Sequence, residues 1–128
     1  MLKIALCDDD SQFVSKITGL IQSLLQDSTE SPVITTYINP VALTASISDG
    51  ERYDIYILDV EMPDLNGMDV AKRIREYQPN AALLFLSSHL SYAMEGYKVQ
   101  ALRYVSKLDL DHALPEALEQ AIAALEKA

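Results

Sequence analysis

The sequence is short of the residues that hold small secreted or zinc-stabilised domains together. It has one cysteine, Cys7, so no disulfide can form within the chain. Cys7 lies inside the first apolar run, where a thiol usually packs as a small hydrophobic group. Neither His89 nor His112 has a partner at the spacing of a zinc site. These absences argue against a disulfide scaffold and against a structural zinc domain.

Basic residues and long apolar segments are also scarce. Ten Lys and Arg stand against 19 Asp and Glu, a formal net charge of −9. Contacts with nucleic-acid phosphates need basic residues, so nonspecific DNA binding by this chain alone is not expected. No apolar stretch approaches the roughly 20 residues of a membrane span, and the first apolar run meets acids too early for a signal peptide. We therefore expect a cytoplasmic protein without membrane contacts.

What the sequence does contain is a set of short apolar runs. The length of 128 residues and the 49% hydrophobic content fit one domain with one core. Runs rich in branched residues predict buried parallel strands. These predicted strands cover residues 2–7, 33–38, 55–58, 82–86 and 102–106.

Apolar residues at helical spacing follow the predicted strands. Asp9 or Asp10 can cap the first helix, Asn39-Pro40 opens the second, and Pro115 suits the first turn of the last. A third helix runs through Val70 to Tyr77, and a weaker one is predicted over residues 91–97. Strand–helix alternation with right-handed crossovers predicts an α/β sheet covered by helices on both faces.

Polar residues stand at the ends of four predicted strands. Asp8, Asp9 and Asp10 follow the first, Asp59 the third, Ser87 and Ser88 the fourth, and Lys107 the fifth. Ligands bind outside the carboxyl ends of strands in open parallel sheets. The sequence therefore predicts that acids, a hydroxyl and an ammonium converge at one edge.

This combination of side chains fits phosphoryl transfer. Two carboxylates about 4 Å apart repel by about 4 kcal/mol at an effective dielectric of 20, and Mg²⁺ relieves that repulsion among Asp8, Asp9 and Asp59. An aspartate can attack phosphorus to form an aspartyl phosphate. Catalysis then needs mainly positioning and charge neutralisation, which a metal and Lys107 would supply. The Ser87 hydroxyl can hydrogen-bond the new phosphoryl oxygens.

The same residues, in this order, resemble the receiver domain of two-component response regulators over essentially the whole chain. The resemblance implies a flavodoxin-like (βα)5 three-layer sandwich, with a parallel sheet of order 2-1-3-4-5. The matching positions are the acidic pair Asp8 and Asp9, the phosphoacceptor Asp59 with Pro63 and Gly67 after it, the switch residues Ser87 and Tyr104, and Lys107.

The resemblance also implies roles for these residues. Asp9, Asp59 and the backbone carbonyl of Glu61 would bind Mg²⁺ directly, and Asp8 would act through a metal-bound water. A sensor histidine kinase would phosphorylate Asp59. Ser87 and Tyr104 would then move, and the surface of the predicted fourth helix, fifth strand and fifth helix would recruit a partner or form a homodimer. Enzymatic activity would be limited to self-catalysed phosphoryl transfer and hydrolysis.

Two local patterns resemble the subgroup that carries a C-terminal LytTR DNA-binding domain. These are residues 7–10 and the spacing of Tyr97, Val99, Ala101 and Tyr104. The resemblance implies a transcriptional output in which DNA is contacted only through that effector. Residues 1–128 are expected to form one receiver domain without the effector.

One departure from the family pattern concerns the residue after Lys107. The family usually has proline there, often after a cis peptide, whereas this chain has Leu108. A cis bond before a residue other than proline costs about 2.5–4 kcal/mol, so we expect a trans peptide. The direction of Lys107 is then less constrained. This departure supports a second hypothesis, in which a degenerate receiver serves as a constitutive protein-interaction module.

Individual residues bear on further interpretations of the chain. A phosphatase of the haloacid dehalogenase type would need a second aspartate where Glu61 stands, and a flavodoxin would need a phosphate loop rich in Ser, Thr and Gly after the first strand. The acid triplet can also simply cap the first helix. Ser87 and Ser88 can cap the following helix, Tyr104 can be a core aromatic, and Lys107 can be a surface residue.

Overall fold

Strands and helices alternate along the chain as expected. The computed structural model describes residues 1–28, 31–88 and 99–127. The helix predicted over residues 91–97, together with His89, lies outside the described residues. The described elements are β1 (Leu2–Cys7), α1 (Ser11–Leu25), β2 (Pro32–Tyr37), α2 (Pro40–Ser48), β3 (Ile55–Asp59), α3 (Gly67–Tyr77), β4 (Ala82–Ser87), β5 (Arg103–Ser106), a 3-10 helix (Lys107–Asp109) and α4 (Leu110–Glu126).

The five strands form one parallel sheet of order β2-β1-β3-β4-β5, which confirms the predicted flavodoxin-like architecture. Neighbouring strands end almost level with one another: Cys7 pairs with Leu58, and Ser87 with Ser106. The polar residues that follow or end β1, β3, β4 and β5 therefore share one edge of the sheet.

Each face of the sheet carries its own apolar cluster. The first joins β1, β3 and β4 residues such as Ile4 and Leu84 to α1 and α4. The second joins alternate strand residues, including Cys7 and Phe85, to α2 and α3. The buried Cys7 is part of this second cluster, as predicted. Within the described chain, no helix has both the length and the apolar character that a membrane crossing needs.

Capping residues set the helix boundaries. Asp10 accepts a hydrogen bond from the Gln12 N–H, and Asn39 accepts one from the Val41 N–H, so both predicted caps are confirmed. β2 begins at Pro32, one residue earlier than predicted. The placement of Pro115 in a first turn was wrong: the 3-10 helix leads directly into α4, which starts at Leu110 and leaves Pro115 inside it.

Candidate functional site

Three acids meet at the carboxyl edge of the sheet. Asp8 directly follows β1, and its N–H continues the ladder to the Tyr37 carbonyl at 3.0 Å. Asp59 is the last residue of β3. One carboxylate oxygen from each of Asp8, Asp9 and Asp59 lies within 4.8 Å of the other two. Asp8 and Asp59 are buried, at 0% and 4% exposure, whereas Asp9 is open to solvent.

Lys107, which follows the edge strand β5, contacts the same acid cluster. Its Nζ lies 3.0 Å from Asp8 Oδ2 and 3.2 Å from Asp59 Oδ1, and its side chain is only 10% exposed. The peptide bond to Leu108 is trans, as expected, because no cis bond occurs in the described chain. The Ser106 hydroxyl accepts a hydrogen bond from the Leu108 N–H at 3.2 Å. Lys107 therefore points into the acid cluster with leucine in the place of the family's proline.

Asp8 has one oxygen that protein groups satisfy poorly. Its Oδ1 accepts a hydrogen bond from the Asp10 N–H at 2.9 Å. Its Oδ2 is buried and makes no hydrogen bond of ordinary geometry, although the Lys107 ammonium is close enough for an ion pair. A buried carboxylate oxygen facing two other carboxylates is the hard oxygen environment that Mg²⁺ prefers. The donor set therefore fits the predicted cation.

The charged groups in this cluster shift one another's pKa values. The pKa of Asp59 is raised from 3.8 to about 6: burial contributes most to the rise, the negative charge of Asp8 adds to it, and Lys107 opposes it. Burial lowers the pKa of Lys107, but its close contacts with the carboxylates of Asp8 and Asp59 outweigh burial and leave that pKa raised. Lys107 is thus held as a cation, and it does not fully compensate two buried acids.

The acids line an open cleft of about 350 Å³. A larger cleft of about 440 Å³, next to Arg75 and Gln100, contains none of the predicted site residues, so size does not identify the site here. The side chains and backbone around the smaller cleft belong to Asp8, Asp9, Asp10, Phe13, Asp59, Glu61, Ser88 and Lys107.

The two predicted switch residues lie close to this edge. Ser87 ends β4 and is 1% exposed. Tyr104 lies in β5 and packs against Phe85, with ring centroids 5.2 Å apart, while its hydroxyl contacts the Met68 sulfur at 4.0 Å. This packing agrees with the interpretation of Tyr104 as a core aromatic, and its role as a switch stays a prediction.

Sequence reasoning placed Phe13 in the core and missed its contact with the site. Lys107 Nζ lies 4.5 Å from the centre of the Phe13 ring. The available signal was its position in the first turn of α1, three residues after Asp10. Ser88, which lines the cleft, was considered only as a helix cap.

A doubly wound parallel sheet with an acid cluster and a lysine at its carboxyl edge defines a class of α/β domain built for a charged ligand. Residues 4–119 match the family model "Response regulator receiver domain". The chain therefore belongs to the response regulator receiver domain family.

Curated relatives agree with this family. The chain is 36% identical over 76 residues to the positive alginate biosynthesis regulatory protein of Pseudomonas aeruginosa, covering 59% of the chain and 31% of that protein. It is 33% identical over 57 residues to the sensory transduction protein LytT of Bacillus subtilis, covering 44% and 24%. It is 25% identical over 112 residues to accessory gene regulator protein A of Staphylococcus aureus, covering 84% and 47%. LytT and accessory gene regulator A are LytTR-associated regulators. This agrees with the subgroup that residues 7–10 and the Tyr97–Tyr104 spacing resemble. The chain spans less than half the length of these relatives.

Solved structures show the same fold. A response regulator receiver domain protein from Clostridium thermocellum matches with a TM-score of 0.82 at 25% identity, covering 98% of both chains. The response regulatory domain of mrkE from Klebsiella pneumoniae matches with a TM-score of 0.85 at 18% identity, covering 99% and 100%. The response regulator TrrA from Thermotoga maritima, solved in complex with Mg²⁺-BeF, matches with a TM-score of 0.72 at 28% identity, covering 94% and 99%.

Proposed function

We propose that this domain is a phosphorylation switch in which Asp59 accepts a phosphoryl group from a sensor histidine kinase. The observation that carries the proposal is the arrangement at the sheet edge. Three carboxylates lie within 4.8 Å of one another, and Lys107 contacts the two buried ones at 3.0 and 3.2 Å. An ammonium shared by buried acids places positive charge beside the nucleophile, where phosphoryl oxygens would arrive.

The residues of the cleft would divide the work. Asp59, which lines the cleft, would be the nucleophile. Asp9, Asp59 and the Glu61 backbone carbonyl would bind Mg²⁺, with Asp8 acting through a water. When bound, Mg²⁺ would neutralise the acids and the charge that develops on the phosphoryl group. Lys107 and Ser87 would hold the transferred phosphoryl oxygens. Autophosphorylation and hydrolysis of the aspartyl phosphate are the only reactions proposed.

The output would follow from movement of Ser87 and Tyr104. Ser87 ends β4 opposite Ser106, whereas Tyr104 pairs with Phe85 two residues before the end of β5. A new charge at Asp59 would therefore act first at the end of β4 and then on Tyr104. The surface formed by β5, α4 and the segment before β5 would then recruit a partner or form a homodimer. In the cytoplasm, DNA would be reached only through a C-terminal effector domain, as in the LytTR-associated subgroup. Residues 1–128 would form one receiver domain that carries the phosphoacceptor.

The degenerate-receiver hypothesis was motivated by Leu108. Its physical basis was that Lys107, without proline after it, would be poorly directed. Lys107 nevertheless contacts both Asp8 and Asp59 while Leu108 remains 85% exposed. This geometry supports the switch over the constitutive module.

The test is phosphorylation by acetyl phosphate with and without Mg²⁺, read by intact mass and size-exclusion elution. The expected result is a mass gain of one phosphoryl group that requires Mg²⁺. Asp59→Asn should abolish it, since an amide is not a nucleophile towards phosphorus.

A matched control lies in the loop that follows β3. Asp64→Asn removes the same charge from an exposed residue whose φ of 70° an asparagine also adopts, so it should be labelled at the normal rate. Full labelling of Asp59→Asn, or no response to millimolar Mg²⁺ in the native chain, would favour another acceptor or the constitutive module.

A further inference from the structure

The backbone at Lys107 lacks the restraint that a proline directly after it would supply. Lys107 is the first residue of the 3-10 helix Lys107–Asp109 and is followed by a trans peptide bond. The next side chain, Leu108, is 85% exposed and packs on little else. A lysine side chain loses much rotamer freedom when it is held in one geometry. Side-chain contacts must therefore supply much of what directs its ammonium.

Phe13 makes one of those contacts. Its ring centre lies 4.5 Å from Lys107 Nζ, inside the distance of about 6 Å at which a ring face attracts a cation. The ring itself is well supported, because Phe13 is half-buried and packs against the apolar cluster between the sheet, α1 and α4. Its backbone lies in the first turn of α1, which Asp10 caps. Phe13 is thus a fixed platform beside the ammonium.

The ring differs from the other partners of Lys107 in one respect. Asp8 and Asp59 are the residues whose carboxylates a divalent cation and a phosphoryl group would also engage. The Phe13 ring carries no net charge and has no lone pair that a metal would take. It can therefore go on directing Lys107 when the carboxylates acquire other partners.

We propose, on the basis of the function proposed above, that Phe13 is a positioning residue that holds the Lys107 ammonium in the phosphoryl-acceptor cleft. Its role is to make up for the absent proline after Lys107. Phe13 acts through Lys107 and makes no contact with the reacting atoms.

The test compares three substitutions at Phe13. Phe13→Leu keeps apolar bulk but removes the ring face, Phe13→Ala removes both, and Phe13→Tyr keeps the face. Phe13→Leu should slow acetyl phosphate labelling of Asp59 about two- to five-fold at saturating Mg²⁺. Phe13→Tyr should keep the native rate. The Mg²⁺ dissociation constant should change less than two-fold in Phe13→Leu and in Phe13→Tyr.

A second measurement does not depend on phosphorylation. In the metal-free protein, NMR of selectively labelled lysine should show the Lys107 side-chain protons shifted upfield by the ring. That shift should be lost in Phe13→Leu and kept in Phe13→Tyr. If no variant and not even the native chain is labelled, the proposed function fails, and the NMR shift still decides whether the ring directs Lys107.

The control for loss of packing is Leu20→Ala. Leu20 lies on the same helix and packs against the same cluster, so this variant should lose stability without losing the labelling rate or the Lys107 shift. A Phe13→Leu variant with native labelling, or one that Phe13→Tyr fails to rescue, would overturn the proposal. A Leu20→Ala variant slowed as much as Phe13→Leu would also overturn it, because general packing would then explain the effect.

Discussion

At the scale of single residues, the environment of Asp59 determines the chemistry of the site. Burial and the negative charge of Asp8 raise the pKa of Asp59 to about 6, and Lys107 offsets only part of this rise. Burial and the neighbouring acids also raise the pKa of the Cys7 thiol, to about 12. The thiol therefore stays protonated at neutral pH and is unreactive. The ends of two neighbouring strands thus carry a buried acid with a raised pKa and an inert thiol.

The raised pKa of Asp59 makes stability depend on pH. A folded-state pKa of about 6 against an ordinary 3.8 means that the folded chain holds this proton more tightly. The free energy of unfolding therefore falls as pH rises from about 4 to about 6 and stays reduced above that range. Without metal, Asp59→Asn should be more stable than the native chain by up to about 3 kcal/mol at pH 7, and by less than this where the variant loses the attraction between Asp59 and Lys107.

Urea unfolding in EDTA measures this difference. The gap between Asp59→Asn and the native chain should narrow as pH falls from 6 towards 4. Asp64→Asn, whose carboxyl is exposed, should show no comparable gain at pH 7. A native chain as stable as Asp59→Asn at neutral pH would contradict this account of the buried charge.

At the scale of elements, the loop after β3 and the start of α3 hold Asp59 in place. Asn66 and Asp69 form a reciprocal capping box at the start of α3. The Gly67 N–H donates to the Val60 carbonyl at 2.9 Å. A Cβ atom on Gly67 would clash with the Asp59 carbonyl oxygen and stand 3.0 Å from the Val60 Cα. Gly67 is therefore required because α3 starts against the backbone of Asp59.

Gly67→Ala should thus disturb both stability and the site. The clash is with backbone and cannot be relieved by a side-chain rotation, so we expect a loss of about 1–3 kcal/mol and slower labelling of Asp59. Gly19→Ala is the matched control, because nothing lies within 4 Å of its added Cβ and α1 should gain helix propensity. Thermal unfolding and acetyl phosphate labelling of both variants measure the difference. Equal stability of the two variants would show that α3 can shift at no cost.

Arg75 joins elements at the opposite edge of the sheet. From the last turn of α3 it donates hydrogen bonds to the backbone carbonyls of Val99 and Gln100, at 2.7 and 3.0 Å. It also donates to carbonyls in the connection to β4, those of Gln78, Pro79 and Ala81. One guanidinium thereby ties the chain entering β5 to the end of α3.

Arg75→Lys should loosen that tie, since an ammonium cannot reproduce the planar fork of donors. The expected loss is about 1–3 kcal/mol, because several carbonyls lose partners and three of these hydrogen bonds are partly buried. Hydrogen exchange should speed up at the amides of residues 99–102 in particular. Arg73→Lys, an exposed change on the same helix, should alter neither measurement. Unchanged exchange in Arg75→Lys would mean that other contacts hold this segment.

At the scale of the whole molecule, one sheet separates two apolar clusters. Ile21 of α1 lies in one and Ile74 of α3 in the other, and both are fully buried. The sheet residues alternate between the clusters, so neither cluster can form without the same strands. We expect the domain to unfold as one cooperative unit. Substitutions in the two clusters should nevertheless have additive effects on the free energy of unfolding.

Matched isoleucine substitutions test this expectation. Ile21→Val and Ile74→Val should each cost about 0.5–1.5 kcal/mol, and the double variant should cost their sum to within about 0.5 kcal/mol. Tyrosine fluorescence and circular dichroism should report coincident transitions. The pair Ile17→Val and Ile21→Val, on one helix and in one cluster, provides the comparison in which coupling is expected. Separate transitions for the two faces would contradict the single cooperative unit.

The positions of the strands, the main helix caps and the polar strand ends could be predicted from local sequence. Strand periodicity and the rule that ligands bind at the carboxyl ends of parallel strands were sufficient to group Asp8, Asp59 and Lys107. The start of α4 could not be predicted in this way, because α4 continues back past Pro115 to Leu110, where it joins the 3-10 helix. Local helix propensity carries no information about the position and direction in which the chain leaves β5.

By itself, the sequence determined which residues stand at the carboxyl edge, since a strand that ends at Leu58 or Ser106 brings its successor there whatever the details of packing. Only the tertiary structure decided how those residues face one another. The direction of Lys107, the Phe13 ring beside it and the approach of Gly67 to Asp59 each join parts of the chain that are distant in sequence or separated by a turn. Such contacts depend on interatomic distances of a few ångströms between packed elements, and periodicity along one chain segment carries no information about them.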